Sequence, residues 1–227
     1  MKIFLLVISY LVYAAFWGRF ISHAFIWCKG TRQFRTGPLH ISGVSLSLCL
    51  VTAIDLLFFR RLFNENKVLW IGSWTFHVSF ILVILRHLNY FFYPVPSCIT
   101  HIQPFGLVAG YILPVSLFYL LAFRIAGRKK YFSYHNFFLL GMVLLISLSG
   151  LLMRMFFSPN LVDVKSFMLG ILTFRPDLLP DSSLFFIHFS LVLLLVPFLP
   201  LHIFAAPVVT MESGRREAGL RMVIHDK

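Results

Sequence analysis

Charge is scarce in this chain, and acidic charge scarcest. Only 8 of its 227 residues are Asp or Glu, and all charged residues together make 12% of the sequence. An average soluble domain carries about 25%, so the polar surface needed to dissolve as a separate globule is lacking. Cysteine is also rare. Cys28, Cys49 and Cys98 lie far apart with no C-x-x-C pair. That excludes an iron–sulfur cluster or zinc site built from this chain alone and argues against a disulfide framework. No long internal repeat is evident, so the inverted-repeat layout of many transporters has no support.

What fills the sequence instead is apolar. Hydrophobic residues make 59% of it, and the mean hydropathy is +0.86. The length permits one membrane domain, 1–210, followed by a short basic tail, 211–227. A net charge of +12 invites a nucleic-acid reading, but that reading fails. The basic residues sit in loops between apolar runs, where the positive-inside rule places them.

A helix needs about 20 mostly apolar residues to cross the hydrocarbon core, and five segments qualify: about Ile3–Trp27, Leu69–Phe92, Phe105–Ile125, Tyr134–Phe157 and Ser183–Ala206. The first is longer than the apolar region of a signal peptide and is read as a retained helix. A sixth stretch, His40–Phe59, carries Ser42, Ser45, Thr52 and Asp55 at helical spacing with basic residues on both sides. An amphipathic helix on the inner surface satisfies both facts better than a crossing. The predicted fold is therefore all-α: a bundle of about five transmembrane helices plus this cytoplasmic-side helix.

Five spans with the N-terminus outside place fourteen of the twenty basic residues on the inner side: Lys29, Arg32, Arg35, Arg60, Arg61, Lys67, Arg124, Arg128, Lys129, Lys130, Arg215, Arg216, Arg221 and Lys227. Lys2, Arg154, Lys165 and Arg175 fall outside, and Arg19 and Arg86 within spans. The imbalance predicts a cytoplasmic C-terminus.

Ionisable residues inside spans are expensive and mark function by default. The second span holds His77 and His87, ten residues apart, which is about 15 Å of rise and about 80° short of whole turns. The fifth holds His188 and His202, fourteen apart, about 21 Å and about 40° short of whole turns. Each pair projects to roughly one side of its helix. Because the two helices run antiparallel, His77 shares a depth with His202 near the cytoplasm, and His87 shares one with His188 near the outside. Two imidazoles from facing helices at each level are the ligand set of a bis-histidine haem. Two b-type haems follow, their iron axial ligands being His77 with His202 and His87 with His188. A single intramembrane His is more often a hydrogen-bonded packing residue; four at matched depths reverse that preference. Trp74, Phe76, Phe80, Phe185, Phe186, Phe189 and Phe198 offer apolar walls. Arg86 either pairs a haem propionate or snorkels toward headgroups.

Two other classes compete: a transporter or channel using His and Arg as a proton path, and a cofactor-free anchor subunit whose histidines are structural. The matched histidine depths favour electron transfer.

The run L-W-I-G-S-W-T-F-H-V-S-F-I-L-V-I-L-R-H-L-N-Y-F, Leu69–Phe91, resembles the second haem helix of respiratory nitrate reductase gamma subunits. A closer likeness is to the membrane cytochrome b of the sulfite-reductase-associated complex of sulfur-metabolising prokaryotes. Arg86–Leu88 with Pro94–Cys98, Gly150–Arg154, Val162–Lys165, and His188 with Pro197–Phe198 and His202 match its elements. The resemblance spans roughly Leu56 to Val209. The last two histidines stand fourteen apart here, about one helical turn closer than in those relatives.

The resemblance implies the membrane anchor of a respiratory oxidoreductase in a prokaryotic cytoplasmic membrane. Electrons would pass between the quinone pool and a cytoplasmic iron–sulfur subunit, which must bring its own clusters. The quinone would react near the outer haem, where His101, Gln103, Arg154 and Lys165 are the candidates able to offer it a hydrogen bond or proton. Interfacial ion pairs, Asp163 with Lys165 and Arg154 with Asp177 or Asp181, are the plainer reading of two of these. His23, His40, His135 and His225 are read as interfacial or tail residues. The basic inner loops and the tail Met211–Lys227 suit a docking surface or anionic lipid equally.

Overall fold

The computed structural model describes residues 2–33, 46–127, 134–175, 179–204, 207, 210, 211, 213 and 214. Its elements are α1 (Lys2–Gln33), α2 (Leu46–Phe58), α3 (Arg60–Glu65), α4 (Lys67–His87), α5 (Ser97–Ala126), α6 (Tyr134–Met155), α7 (Leu161–Leu172) and α8 (Ser183–Leu195). Short 3₁₀ turns follow α4 at Leu88–Tyr90 and α8 at Val196–Phe198. Among the described residues there is no strand, as expected. Five helices are long and apolar enough to cross a membrane: Phe4–Ile26, Lys67–Tyr90, Ser97–Ala126, Tyr134–Met155 and Ser183–Phe204. They are the five spans read from the sequence; the third begins eight residues earlier than expected, at Ser97, and the other ends shift by at most two.

Contacts divide the chain into two compact units, Met1–Val12 with Val68–Leu195, and Tyr13–Lys67 with Val196–Lys227. In the first unit α6 packs against both α5 and α8. Leu113, Leu117 and Leu120 of α5 and Leu139, Leu140, Val143 and Leu144 of α6 are buried. Where α4 meets α5, two glycines set the approach. A Cβ on Gly72 would overlap the Tyr119 ring, and one on Gly106 would lie 2.6 Å from Arg86 Cβ and 2.9 Å from the Leu82 carbonyl oxygen. Lipid gives helices no hydrophobic reason to associate, so close contact through small residues supplies the packing energy. Tyr119 closes one end of this seam by donating its hydroxyl to Val68 O at 2.8 Å.

α7 lies within the stretch read as outer loop. Asn160 caps it, its side-chain oxygen accepting from Val162 N at 3.0 Å, and Asp163 adds a negative charge to the first turn, favourable at a helix N-terminus. Val164 and Phe167 of α7 join Leu5 of α1 and Phe185 and Phe189 of α8 in one buried cluster. Phe167 meets Phe185 and Phe189 edge-on at 5.9 and 5.7 Å. Tyr10 adds a hydrogen bond to Ile171 O at 2.9 Å and stacks on Phe174 at 5.0 Å. Twelve residues rise only about 18 Å, too short to span, yet the segment is as firmly built in as a span.

In the second unit the later part of α1 carries Phe16, Trp17 and Phe20 in mutual ring contact. Phe20 meets Phe204 at 4.6 Å, and Arg19 donates to Pro197 O at 3.0 Å. The segment expected as a single helix over 40–59 is described from Leu46. It is α2, thirteen residues long, interrupted at Phe59, whose φ of 48° is left-handed, and continued by α3. Residues 40–45 lie outside the described residues. Leu50, Val51, Ile54, Leu57 and Phe58 are exposed, while Asp55 pairs with Arg61 at 3.4 Å. An outward apolar face with the acid drawn in suits contact with lipid.

Candidate functional site

His87 ends α4. As in any helix, its Nδ1 can reach the carbonyl one turn back, and it does so at Val83 O, 2.7 Å away. A carbonyl only accepts, so Nδ1 carries the proton and Nε2 keeps its lone pair. His188 sits in the second turn of α8 and uses a different partner. Its Nδ1 lies 2.9 Å from Ser149 Oγ of α6. Ser149 Oγ also lies 2.9 Å from Ile146 O; with its hydroxyl proton on that carbonyl, it accepts from His188 Nδ1 and leaves Nε2 of that ring without a proton. In that arrangement both rings present the same nitrogen.

The two rings face each other across α4 and α8 with centroids 6.4 Å apart and planes 15° from parallel. A bond of about 2.0–2.1 Å from metal to imidazole nitrogen, with about 1.1 Å from that nitrogen to the ring centre, puts two imidazoles on opposite sides of one metal about 6.3 Å apart. The observed centroid separation is of that size. A porphyrin iron asks two axial ligands of the protein. Among the described residues no group of three or more His, Cys, Asp or Glu gathers as a bare metal ion would need. The donor set fits a haem.

The surroundings fix these rings from several sides. Tyr90, in the 3₁₀ turn after His87, meets that ring edge-on at 6.0 Å, and α7 packs on the same turn. Gly150 leaves room for His188, since a Cβ there would stand 3.2 Å from Cε1. Phe185 and Phe189, expected as pocket walls, are buried against Phe167. Arg86 donates to Gln103 O at 2.8 Å, and Gln103 Nε2 returns a bond to Arg86 O at 3.2 Å. Arg86 is therefore tied to α5 rather than reaching freely for headgroups.

The inner pair is divided between the units. His77 belongs to the first, where its Nδ1 bonds Ser73 O at 2.7 Å and its ring meets Phe76 at 4.6 Å. His202 belongs to the second and is exposed. The helix assumed continuous between His188 and His202 is interrupted by the 3₁₀ turn at Val196–Phe198, where Pro197 lacks the N–H a regular helix needs. The uniform angle expected between those two residues does not carry through this turn.

Of the outer candidates, His101 and Gln103 are not in a loop. Pro96 accepts the first amides of α5, from Ile99 at 3.0 Å and Thr100 at 3.3 Å, so the helix starts at Ser97 and takes Pro104 inside it. His101 bonds Ser97 O at 2.7 Å and is exposed. Arg154 is exposed at the end of α6. Lys165, on α7, holds its ammonium 5.4 Å from the Tyr93 ring centre. Asp177, His40 and His225 lie outside the described residues.

Five helices long and apolar enough to cross a membrane, with a close pair of histidines between two of them, describe a multi-pass helical membrane protein. Two curated relatives agree with the resemblance read from the sequence. Both are named Hdr-like menaquinol oxidoreductase cytochrome b-like subunit. The one from Archaeoglobus profundus is 30% identical over 153 residues, covering 60% of this chain and 46% of the relative. The one from Archaeoglobus fulgidus is 26% identical over 199 residues, covering 72% of this chain and 60% of the relative. The chain thus spans about half the length of the curated relatives it matches. No protein-family model and no solved structure matches it.

Proposed function

We propose that this chain is the membrane-anchoring dihaem cytochrome b subunit of a respiratory oxidoreductase complex, passing electrons between a membrane quinol and a cytoplasmic iron–sulfur subunit. The observation that carries this reading is the His87–His188 pair. Two imidazoles from different helices, with ring centres 6.4 Å apart, support a shared haem iron as their partner. His77 and His202 hold the second haem. Bound haem supplies one-electron chemistry with its iron closed to substrate. The protein's part is to fix the ring tautomers, exclude water around them and supply Arg86 to an outer propionate. The relatives' name, menaquinol oxidoreductase subunit, supports a menaquinol as the reductant. Lys165, His101 and Arg154 are the groups offered to it at the outer face. Iron–sulfur clusters must come from a partner, since this chain has no clustered cysteines. The basic excess of the loops read as inner supports a cytoplasmic C-terminus and would give that partner, or anionic lipid, a surface to meet.

The test is a dithionite-reduced minus oxidised spectrum with a haem assay on protein purified from membranes. Two b-type haems per chain are expected. A folded, colourless protein overturns the proposal.

A further inference from the structure

His87 and His188 are supported unequally. The His87 bond to Val83 is local, one turn back in its own helix. His188 instead reaches out of α8 to a side chain on α6, thirty-nine residues away in sequence. The structure assigns Ser149 and Gly150 as the positioning element of His188: Ser149 fixes the proton on Nδ1, and Gly150 sets the angle of the ring. This assignment rests on reading His87 and His188 as the two ligands of one haem, and it deepens that reading.

Three observations carry it. The Ser149 hydroxyl is buried and gives its proton to Ile146 O, leaving a lone pair, polarised by that bond, as acceptor for His188. Gly150 stands against the ring itself, where a Cβ would come within 3.2 Å of Cε1 and 3.6 Å of Nδ1. Cε1 lies between the two ring nitrogens, so a push there swings Nε2. At Gly141 of the same helix a Cβ meets nothing within 4 Å, so the demand for glycine is local to the histidine.

An acceptor on the far nitrogen of a ligating imidazole raises the ring's basicity and holds its orientation. More electron density at Nε2 favours ferric over ferrous iron. Removing the acceptor therefore raises the reduction potential of the haem held by His188 and leaves the other unchanged.

The experiment compares purified wild type, S149A, S149T, G150A and H188A. It records haem per chain, redox-poised visible titrations and low-temperature EPR of the oxidised protein. H188A identifies the outer haem by losing it. S149A is expected to keep two haems and shift only that haem to higher potential, with S149T returning it toward wild type. G150A is expected to move the ferric low-spin EPR signal of the same haem. If S149A folds but lacks the outer haem, restoration of haem and potential in S149T supports the assignment, and failure to restore overturns it. Equal shifts of both haems, or potentials and EPR signals unchanged in S149A and G150A, overturn it while leaving the dihaem reading intact. A wild type without haem, or an H188A protein retaining two, overturns the dihaem reading itself.

Discussion

Arg86 and Gln103 hold one another head to tail, each donating a side-chain N–H to the other's backbone carbonyl, at 2.8 and 3.2 Å. The bond pair ties the residue before His87 to the second turn of α5. It can form because Gly106, one turn further along α5, lets the backbone come down onto Arg86 Cβ. The position of His87 is thus set partly from α5, which carries neither member of the His87–His188 pair.

The Gly106 contact should be intolerant of even a methyl group. Gly106→Ala must displace the Arg86 stem and the Leu82 backbone, a mid-helix obstacle with little freedom, at a cost of about 1–3 kcal/mol. Gly110→Ala, where a Cβ meets nothing within 4 Å, should stay within about 0.5 kcal/mol of wild type. Thermal unfolding in detergent separates the two, and equal midpoints would refute the argument.

Gln103→Ala removes one half of the reciprocal pair. Interhelical hydrogen bonds in membranes are worth about 0.6 kcal/mol on average and about 1.7 at most, so only a small fall in stability is expected. The informative readout is the outer haem, whose spectrum should broaden as Arg86 and His87 gain freedom.

Alanine at any of the four histidines should remove one of two haems. His87→Ala and His188→Ala should lose the same one, and His77→Ala and His202→Ala the other. Spectra of the single variants and of the His77/His202 double variant decide this. If His77→Ala and His202→Ala deplete different haems, the inner pairing is wrong.

Among the outer candidates Lys165 should matter most. It sits on α7, which packs on the turn directly after His87, whereas His101 and Arg154 are exposed at helix ends. Loss of one charged hydrogen bond of about 1.5 kcal/mol predicts roughly tenfold slower haem reduction by a quinol in Lys165→Ala, with dithionite reduction unchanged. A larger defect in His101→Ala or Arg154→Ala would relocate the site.

Asn160→Ala should loosen α7 by about 1 kcal/mol, the usual worth of an N-cap. Hydrogen exchange over 161–172 should rise while α5 and α6 stay protected.

The spans were legible because a bilayer leaves few ways to satisfy a backbone, and length with hydropathy reads them directly. The His87–His188 pairing was legible for the same reason, since depth along a straight helix follows from rise per residue. What escaped were features whose cause lies elsewhere in the chain. α7 is too short to span and looked like a loop, although Asn160 before a turn containing Asp163 is a helix-start signal. Its burial depends on Phe185, Phe189 and Leu5, which no local pattern announces. Ser149 carries no local signal, since its partner His188 is distant in sequence. Pro104, a residue that usually breaks helices, is inside α5. The 3₁₀ turn at Pro197 was visible as a proline, but its effect on the angle to His202 was not.

Arg19 places its guanidinium on Pro197 O at 3.0 Å and near the Phe198 ring at 5.9 Å, so a charge in the first span is satisfied by the last. During synthesis these two partners emerge from the ribosome at opposite ends of the work. α1 must enter the bilayer with an arginine that has no protein acceptor, at a cost of about 2.5–3.5 kcal/mol if it lies centrally, and it keeps that debt until the final helix arrives. A chain stalled before Ser183 carries an exposed intramembrane charge, the sort of feature by which quality control can tell an unfinished membrane protein from a completed one.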